Sequence, residues 1–151
     1  MKPTGKPRVR RAVVGDAAAI QALESMFPEA DQMSPRSIRR FLGSAGAALW
    51  VAAADELLGA LVMLTRKGSG VARIYSVIVA PAARGQGLAQ ALIGAAEAEA
   101  RQRGLSAMHL EVREDNLAAL KLYNKLGYRW HQQLPQYYAD DVNGIRLRRE
   151  L

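Results

Sequence analysis

The chain is predicted to be an α/β protein built around a mixed, largely antiparallel sheet. Three observations predict it. From residue 48 to residue 79 the chain is largely apolar, in three runs separated by two short polar turns, as in an antiparallel meander. Before and after that stretch, apolar residues recur at the spacing of one helical face. Proline and glycine stand where one pattern gives way to the next.

Taken in order, Arg8 to Val14 reads as a first strand. Asp16 is a plausible N-cap for a helix whose face carries Ile20, Leu23 and Phe27, with Pro28 as its stop. Ser34-Pro35 starts a second helix, an N-cap followed by proline at the first helical position, which ends near Gly43. Ala48–Ala54 and Leu57–Thr65 flank Asp55-Glu56 as a hairpin, and Val71–Val79 is a third strand ended by Pro81. Leu88, Ala91, Leu92, Ala95 and Ala96 form the apolar stripe of a helix closed by Gly104. Ser106 to Val112 alternates, with Met108, Leu110 and Val112 on one face and Ala107, His109 and Glu111 on the other. A helix from Asn116 to about Leu126 is closed by Gly127, and Tyr128–Leu134 and Gly144–Arg149 are the last strands. The expected order is β-α-α-β-β-β-α-β-α-β-β.

At 151 residues the chain fits one domain, expected over 8–151 behind a loose basic tail over 1–7. Half of it is hydrophobic and 23% is charged, which is too apolar for a disordered chain. There are no cysteines, which excludes disulfide scaffolds, thiolate metal sites and cysteine nucleophiles. With His109 and His131 as its only histidines, no metal site is expected. The net charge is +7, and Lys2, Lys6, Arg8, Arg10 and Arg11 carry five of those charges ahead of the first acid, Asp16. Such a tail can touch nucleic acid or simply keep the chain in solution. No aromatic residue lies among those charges, so nucleic acid is not expected as a partner. Leu49–Leu64 is interrupted by Asp55-Glu56 and falls short of the roughly 18 apolar residues of a membrane span. A cytoplasmic protein, monomeric or homodimeric and without a membrane partner, is the expectation.

The stretch from Val77 to Ala89 runs from a strand through a glycine-containing loop directly into a helix. The first turn of a helix presents backbone N–H groups with no internal partner, and the macrodipole adds about half a positive charge. Gly85 and Gly87 let an anion approach those amides, and Arg84 adds a full charge. A diphosphate suits this site. The plain alternative is a two-glycine turn before a helix. No G-x-x-x-x-G-K-[ST] run exists, and Gly85-Gln86-Gly87-Leu88-Ala89-Gln90 lacks the third glycine of a dinucleotide fingerprint.

Arg84-Gly85-Gln86-Gly87-Leu88-Ala89 fits the [RQ]-x-x-G-x-[GA] loop of the GCN5-related N-acetyltransferases, the GNAT superfamily. Leu110-Glu111-Val112-Arg113, Asn116, Ala119, Leu122-Tyr123 and Leu126-Gly127-Tyr128 follow in the order and spacing of that family's C-terminal half. The resemblance spans about residues 48–138 and is nearest to the bacterial branch that acetylates the N-termini of ribosomal proteins. It implies the GNAT fold, in which acetyl-CoA lies between two splayed central strands, here Val71–Val79 and Ser106–Val112. It further implies that the pantetheine arm pairs with Val77, Ile78 and Val79. The pyrophosphate then rests on the amides from Arg84 to Gln90, through Gly85, Gln86, Gly87, Leu88 and Ala89, and Asn116 reaches the pantetheine side. No metal is implied.

Acetyl transfer to an amine requires a proton to leave the ammonium, the carbonyl to be polarised and the departing thiolate to be protonated. Tyr123 stands seven residues after Asn116, on the same helical face, and a phenol with an ordinary pKa near 10 is protonated at neutral pH. It is the candidate acid and is also counted with the cofactor site, the alternative being a ring that only anchors the helix. The resemblance gives Glu111 the role of base, the alternative being a solvent-facing glutamate paired with Arg113 or His109. It also implies that Tyr137-Tyr138 line the slot for a substrate N-terminus, the alternative being two half-buried hairpin rings. After the tyrosines, Asp140-Asp141-Val142-Asn143-Gly144 matches the branch only loosely, and Arg146, Arg148 and Arg149 follow. The expected acceptor is a protein or peptide α-amine. A small amine such as a polyamine, amino acid or antibiotic is the alternative, as is a ribosome-binding or acetyl-CoA-binding module without catalysis.

Overall fold

The computed structural model describes residues 6–151. Most of the expected tail, Lys2 included, lies outside the described residues. The elements are β1 (Arg8–Arg11), α1 (Ala17–Glu24), α2 (Pro35–Leu42), β2 (Ala47–Ala53), β3 (Leu57–Thr65), β4 (Val71–Val79), α3 (Leu88–Gln102), β5 (Ala107–Arg113), α4 (Leu117–Lys125), β6 (Arg129–Leu134) and β7 (Gly144–Glu150). Their order is the one expected. They form one seven-stranded sheet in the order β1-β2-β3-β4-β5-β7-β6. Every pairing is antiparallel except β4 with β5.

The polar turns set these elements. Ser34 caps α2 as expected, its hydroxyl accepting from the Ser37 amide at 3.1 Å, so that Ile38 and Phe41 turn inward. β1 is shorter than expected. The Asp16 carboxylate accepts from the Val13 amide at 2.8 Å and from the Arg10 guanidinium at 2.8 and 3.0 Å, which folds residues 13–16 into a turn. Asp16 therefore does not cap α1 with its side chain. Helix α1 stops at Glu24, so Phe27 is not part of its face; the Phe27 ring lies instead 6.0 Å from the Arg84 guanidinium.

Helices cover both faces of β2–β4, and Trp50, Val51, Leu61 and Met63 are almost wholly buried. Leu88, Leu92, Ile93, Ala96 and Ala100 form the buried face of α3, while Ala91 is exposed. The face is thus rotated from the expected stripe and includes the buried Glu97, which accepts from the Tyr128 hydroxyl at 2.9 Å and from Arg149 at 2.8 and 2.9 Å. That charged pair with its phenol ties α3 to β7 and to the residue just before β6.

One irregularity positions the site. Val62 pairs with Ser76 and Met63 with Ile74, which leaves Tyr75 as a bulge in β4. The Tyr75 ring stands edge-on to Phe41 with centroids 5.3 Å apart.

Candidate active site

β4 and β5 pair only from Val71 with Ala107 to Ile74 with Leu110. Beyond that point β4 follows β3 to Val79, and β5 follows β7 to Arg113. Each strand is held by its outer neighbour, and the bulge at Tyr75 adds twist where they part. The sheet therefore opens into a wedge. Val77, Ile78 and Val79 line it half-buried, and their β5-facing edge has no strand partner. Such an edge accepts an extended, amide-bearing ligand.

At the end of β4 the chain turns through residues 81–83 and enters α3. Gly85 has φ +82° and Gly87 φ +76°, which is left-handed backbone that suits glycine. A Cβ at either position would meet nothing within 4 Å, so the loop leaves open space over its amides. The first helical bond of α3 is from the Ala91 amide to the Gly87 carbonyl at 3.0 Å, so the amides of Leu88, Ala89 and Gln90 have no helical acceptor. Around them lies a cleft of about 300 Å³, bounded by Val79, Arg84 and Gln90 and, across it, by Leu122 and Lys125 of α4. Gln86 is exposed in the same loop. Lys125 was not singled out in the sequence; its only signal is a cation two residues after Tyr123.

Asn116 caps α4, its side-chain oxygen accepting from the Ala119 amide at 3.1 Å. Tyr123 is buried, its ring edge-on to Tyr128 with centroids 5.8 Å apart. Burial pushes its hydroxyl up to about 12. That hydroxyl has no hydrogen-bond partner among the described residues.

Glu111 lies on the sheet face covered by α2, opposite the face that takes α3. Its side chain is only 6% exposed and does not face solvent. Its partners are neither Arg113 nor His109. The Arg73 Nε lies 2.9 and 3.2 Å from its two oxygens, and the Arg146 Nη2 lies 3.4 Å from one of them. Arg73 also donates to the Tyr137 hydroxyl at 3.3 Å. The rings of Tyr137 and Tyr138 stand at 89° to one another. Arg113 lies over the Tyr138 ring and binds Asp140 at 2.6 Å, which ties the loop over 135–143 to the end of β5. Tyr138 is pushed up to about 12, by burial first and then by the charges of Tyr137 and Glu111. The structure thus brings Glu111, Tyr137 and Tyr138 together and adds Arg73 and Arg146, which sequence reasoning missed. His109, on the same face, stacks on His131 and has its pKa lowered by burial and by Arg148, Arg146 and His131, against the opposing pull of Glu111.

Among the described residues there is no cluster of three potential metal ligands. No described helix is long and apolar enough to cross a membrane.

Comparison with known proteins agrees with this geometry. The model of the family described as "Acetyltransferase (GNAT) family" matches residues 17–128. Mycothiol acetyltransferase from Salinispora tropica is 40% identical over 106 residues, 67% of this chain and 34% of that protein. The chain spans about a third or less of the length of the curated relatives it matches. The ribosomal-protein-S18-alanine N-acetyltransferase from Escherichia coli shares the fold, with a TM-score of 0.85 at 21% identity over 95% of this chain and 93% of that one. Arabidopsis thaliana NAA60, solved in complex with acetyl-CoA, does so with a TM-score of 0.86 at 16% identity over 96% and 98%. With the family model matched over most of the chain, and with the wedge and the glycine loop both in place, the chain belongs to the GNAT family of N-acetyltransferases.

Proposed function

We propose that this protein transfers an acetyl group from acetyl-CoA directly to the α-amine of a peptide or protein N-terminus. The observation that carries the reading is the meeting of Glu111, Arg73, Tyr137 and Tyr138 on the α2 face, where β4 and β5 part. An acceptor amine can approach the wedge from that face, while the α3 loop serves the opposite end of the cosubstrate.

The residues present fit acetyl-CoA. Leu88, Ala89 and Gln90 offer free amides, Gly85 and Gly87 leave room over them, and Arg84 and Lys125 flank the cleft with positive charge. Val77, Ile78 and Val79 offer a strand edge to the pantetheine arm, and Asn116 offers its free side-chain amide nitrogen. Acetyl-CoA supplies the acetyl group as an activated thioester. Tyr123 keeps its proton at neutral pH and gives it to the departing thiolate. Glu111 draws the proton from the acceptor ammonium, through a water or directly once one guanidinium contact is released, and Arg73 and Arg146 hold its carboxylate in place. Tyr137 and Tyr138 border the approach of the acceptor backbone.

A second reading is a small-molecule amine as acceptor. It is favoured by the relatives named mycothiol acetyltransferase. The test is CoA release from acetyl-CoA with a panel of free-N-terminus peptides, amino acids, amino sugars and polyamines. Turnover of peptides supports the first reading; turnover of small amines alone overturns it in favour of the second.

A further inference from the structure

We infer that the cavity beside Arg73 binds an anion carried by the acceptor, so that the preferred acceptors are peptides with Asp or Glu close behind the reacting α-amine. The inference rests on the peptide reading above and adds a substrate class to it. The cavity holds about 640 Å³, within the range of ligand pockets, and lies between the end of α2 and the β3–β4 hairpin. Part of its lining is apolar, from Phe41, Leu64 and Val71, while Arg40, Arg66 and Arg73 reach it from α2, the β3–β4 turn and β4. No carboxylate lines it. Arg73 is matched by Glu111, whereas Arg40 and Arg66 have no carboxylate partner among the described residues. Arg40 is spread over the Phe41 ring at 5.1 Å, which leaves its N–H groups free to donate.

Position connects the cavity to chemistry. Arg73 is the wall between the two: one side of it borders the cavity, and its guanidinium touches both Glu111 and Tyr137. An acceptor with its amine at Glu111 therefore extends its next residues over Arg73 toward Arg66 and Arg40. A carboxylate there finds unmatched guanidiniums that bind it in bidentate fashion. A lysine or a second ammonium of a polyamine is repelled by the same groups.

The experiment compares Ala-Asp-Glu-Phe, Ala-Gln-Gln-Phe and Ala-Lys-Lys-Phe as acceptors at low and high salt, in the native sequence and in the R40E/R66E variant. The expected order of kcat/KM is acidic, neutral, basic, with about a tenfold or greater span at low salt that shrinks at high salt. In R40E/R66E the span collapses or reverses, mainly through the peptide KM. Acetyl-CoA affinity reports folding of that variant, and R66Q gives the same trend more gently should it fail to fold. Equal rates for the three peptides, or a preference that survives R40E/R66E, overturn the inference and leave the peptide reading standing. Acetylation of anionic small amines but no peptide overturns the peptide reading and keeps the anion site. If no acceptor turns over, binding of the acidic peptide to acetyl-CoA-loaded protein decides. Salt-sensitive binding lost in R40E/R66E upholds the inference, and its absence overturns it.

Discussion

The Arg73 Nε stands 2.9 Å from a carboxylate oxygen of Glu111, one residue before β4 and β5 cease to pair. The same guanidinium donates to the Tyr137 hydroxyl. A single side chain, one rung before the sheet opens, thus touches both the carboxylate and the loop between β6 and β7.

Glu111→Gln keeps the shape of the side chain and removes its ability to take a proton. If Glu111 is the base, kcat/KM for the acceptor falls by about 10²–10⁴ with little change in acetyl-CoA affinity. A loss below about tenfold in steady-state acetylation would assign Glu111 to holding Arg73 and Arg146 alone.

Tyr123→Phe should lower kcat by about 10² or more while acetyl-CoA binding stays within a few-fold. The pH profile gives an independent check. Burial places the Tyr123 hydroxyl at about 12, above its ordinary value, so its protonated, donating form persists as pH rises past 10. No fall in kcat below about pH 10 is expected from this residue. A descending limb near pH 9 that Tyr123→Phe removes would contradict the burial described above.

Gly87→Ala places a Cβ on left-handed backbone at φ +76° and costs about 1–2 kcal/mol. The strain falls on the first turn of α3, so acetyl-CoA affinity should drop about tenfold or more. Calorimetric titration of acetyl-CoA into the variant reads this directly, and unchanged affinity would remove the loop from the cosubstrate site.

Glu24 is 1% exposed, one of its oxygens has no partner, and the other accepts from the Met33 amide at 3.2 Å. Burial raises its pKa above that of the unfolded chain, with Asp31 adding to the effect and the Met33 amide opposing it. The folded state therefore binds this proton more tightly. Stability is greatest below the unfolded value near 4.3 and declines as pH rises through the folded value. Glu24→Gln should raise Tm by a few degrees at pH 8, and the gain should shrink toward pH 4. Thermal melts across that range check it; an equal shift at both ends would exclude titration as the cause.

Local signals in the sequence carried the element order because each boundary has its own residue, such as Ser34-Pro35, Pro81, Gly104 and Gly127. The glycine loop was legible for the same reason, since its chemistry lies within seven consecutive residues. Long-range register was not legible. Arg73, Glu111 and Arg146 meet because β4, β5 and β7 are neighbours, and nothing near Glu111 in sequence announces either arginine. The alternation that put Glu111 opposite Leu110 was right about its face, yet whether that carboxylate met solvent depended on Arg73 and Arg146 from the neighbouring strands. The α3 stripe was misjudged because Glu97 reads as polar until Arg149 and Tyr128 are seen to cover it. Phe27 had the spacing of α1 but fell past its last turn.

The insertion of β7 between β5 and β6 bears on how the protein reaches its folded state. The hairpin partner β6 is near in sequence, but β5 is more than thirty residues away, so this closure is slow compared with forming the β2–β4 meander. Arg146 and the anchored ends of the tyrosine loop arrive only with that step. A chain arrested before it would present the glycine loop and the β4 edge without Arg146 beside Glu111. Conditions that loosen β7 should therefore abolish transfer before they abolish the ability to retain CoA.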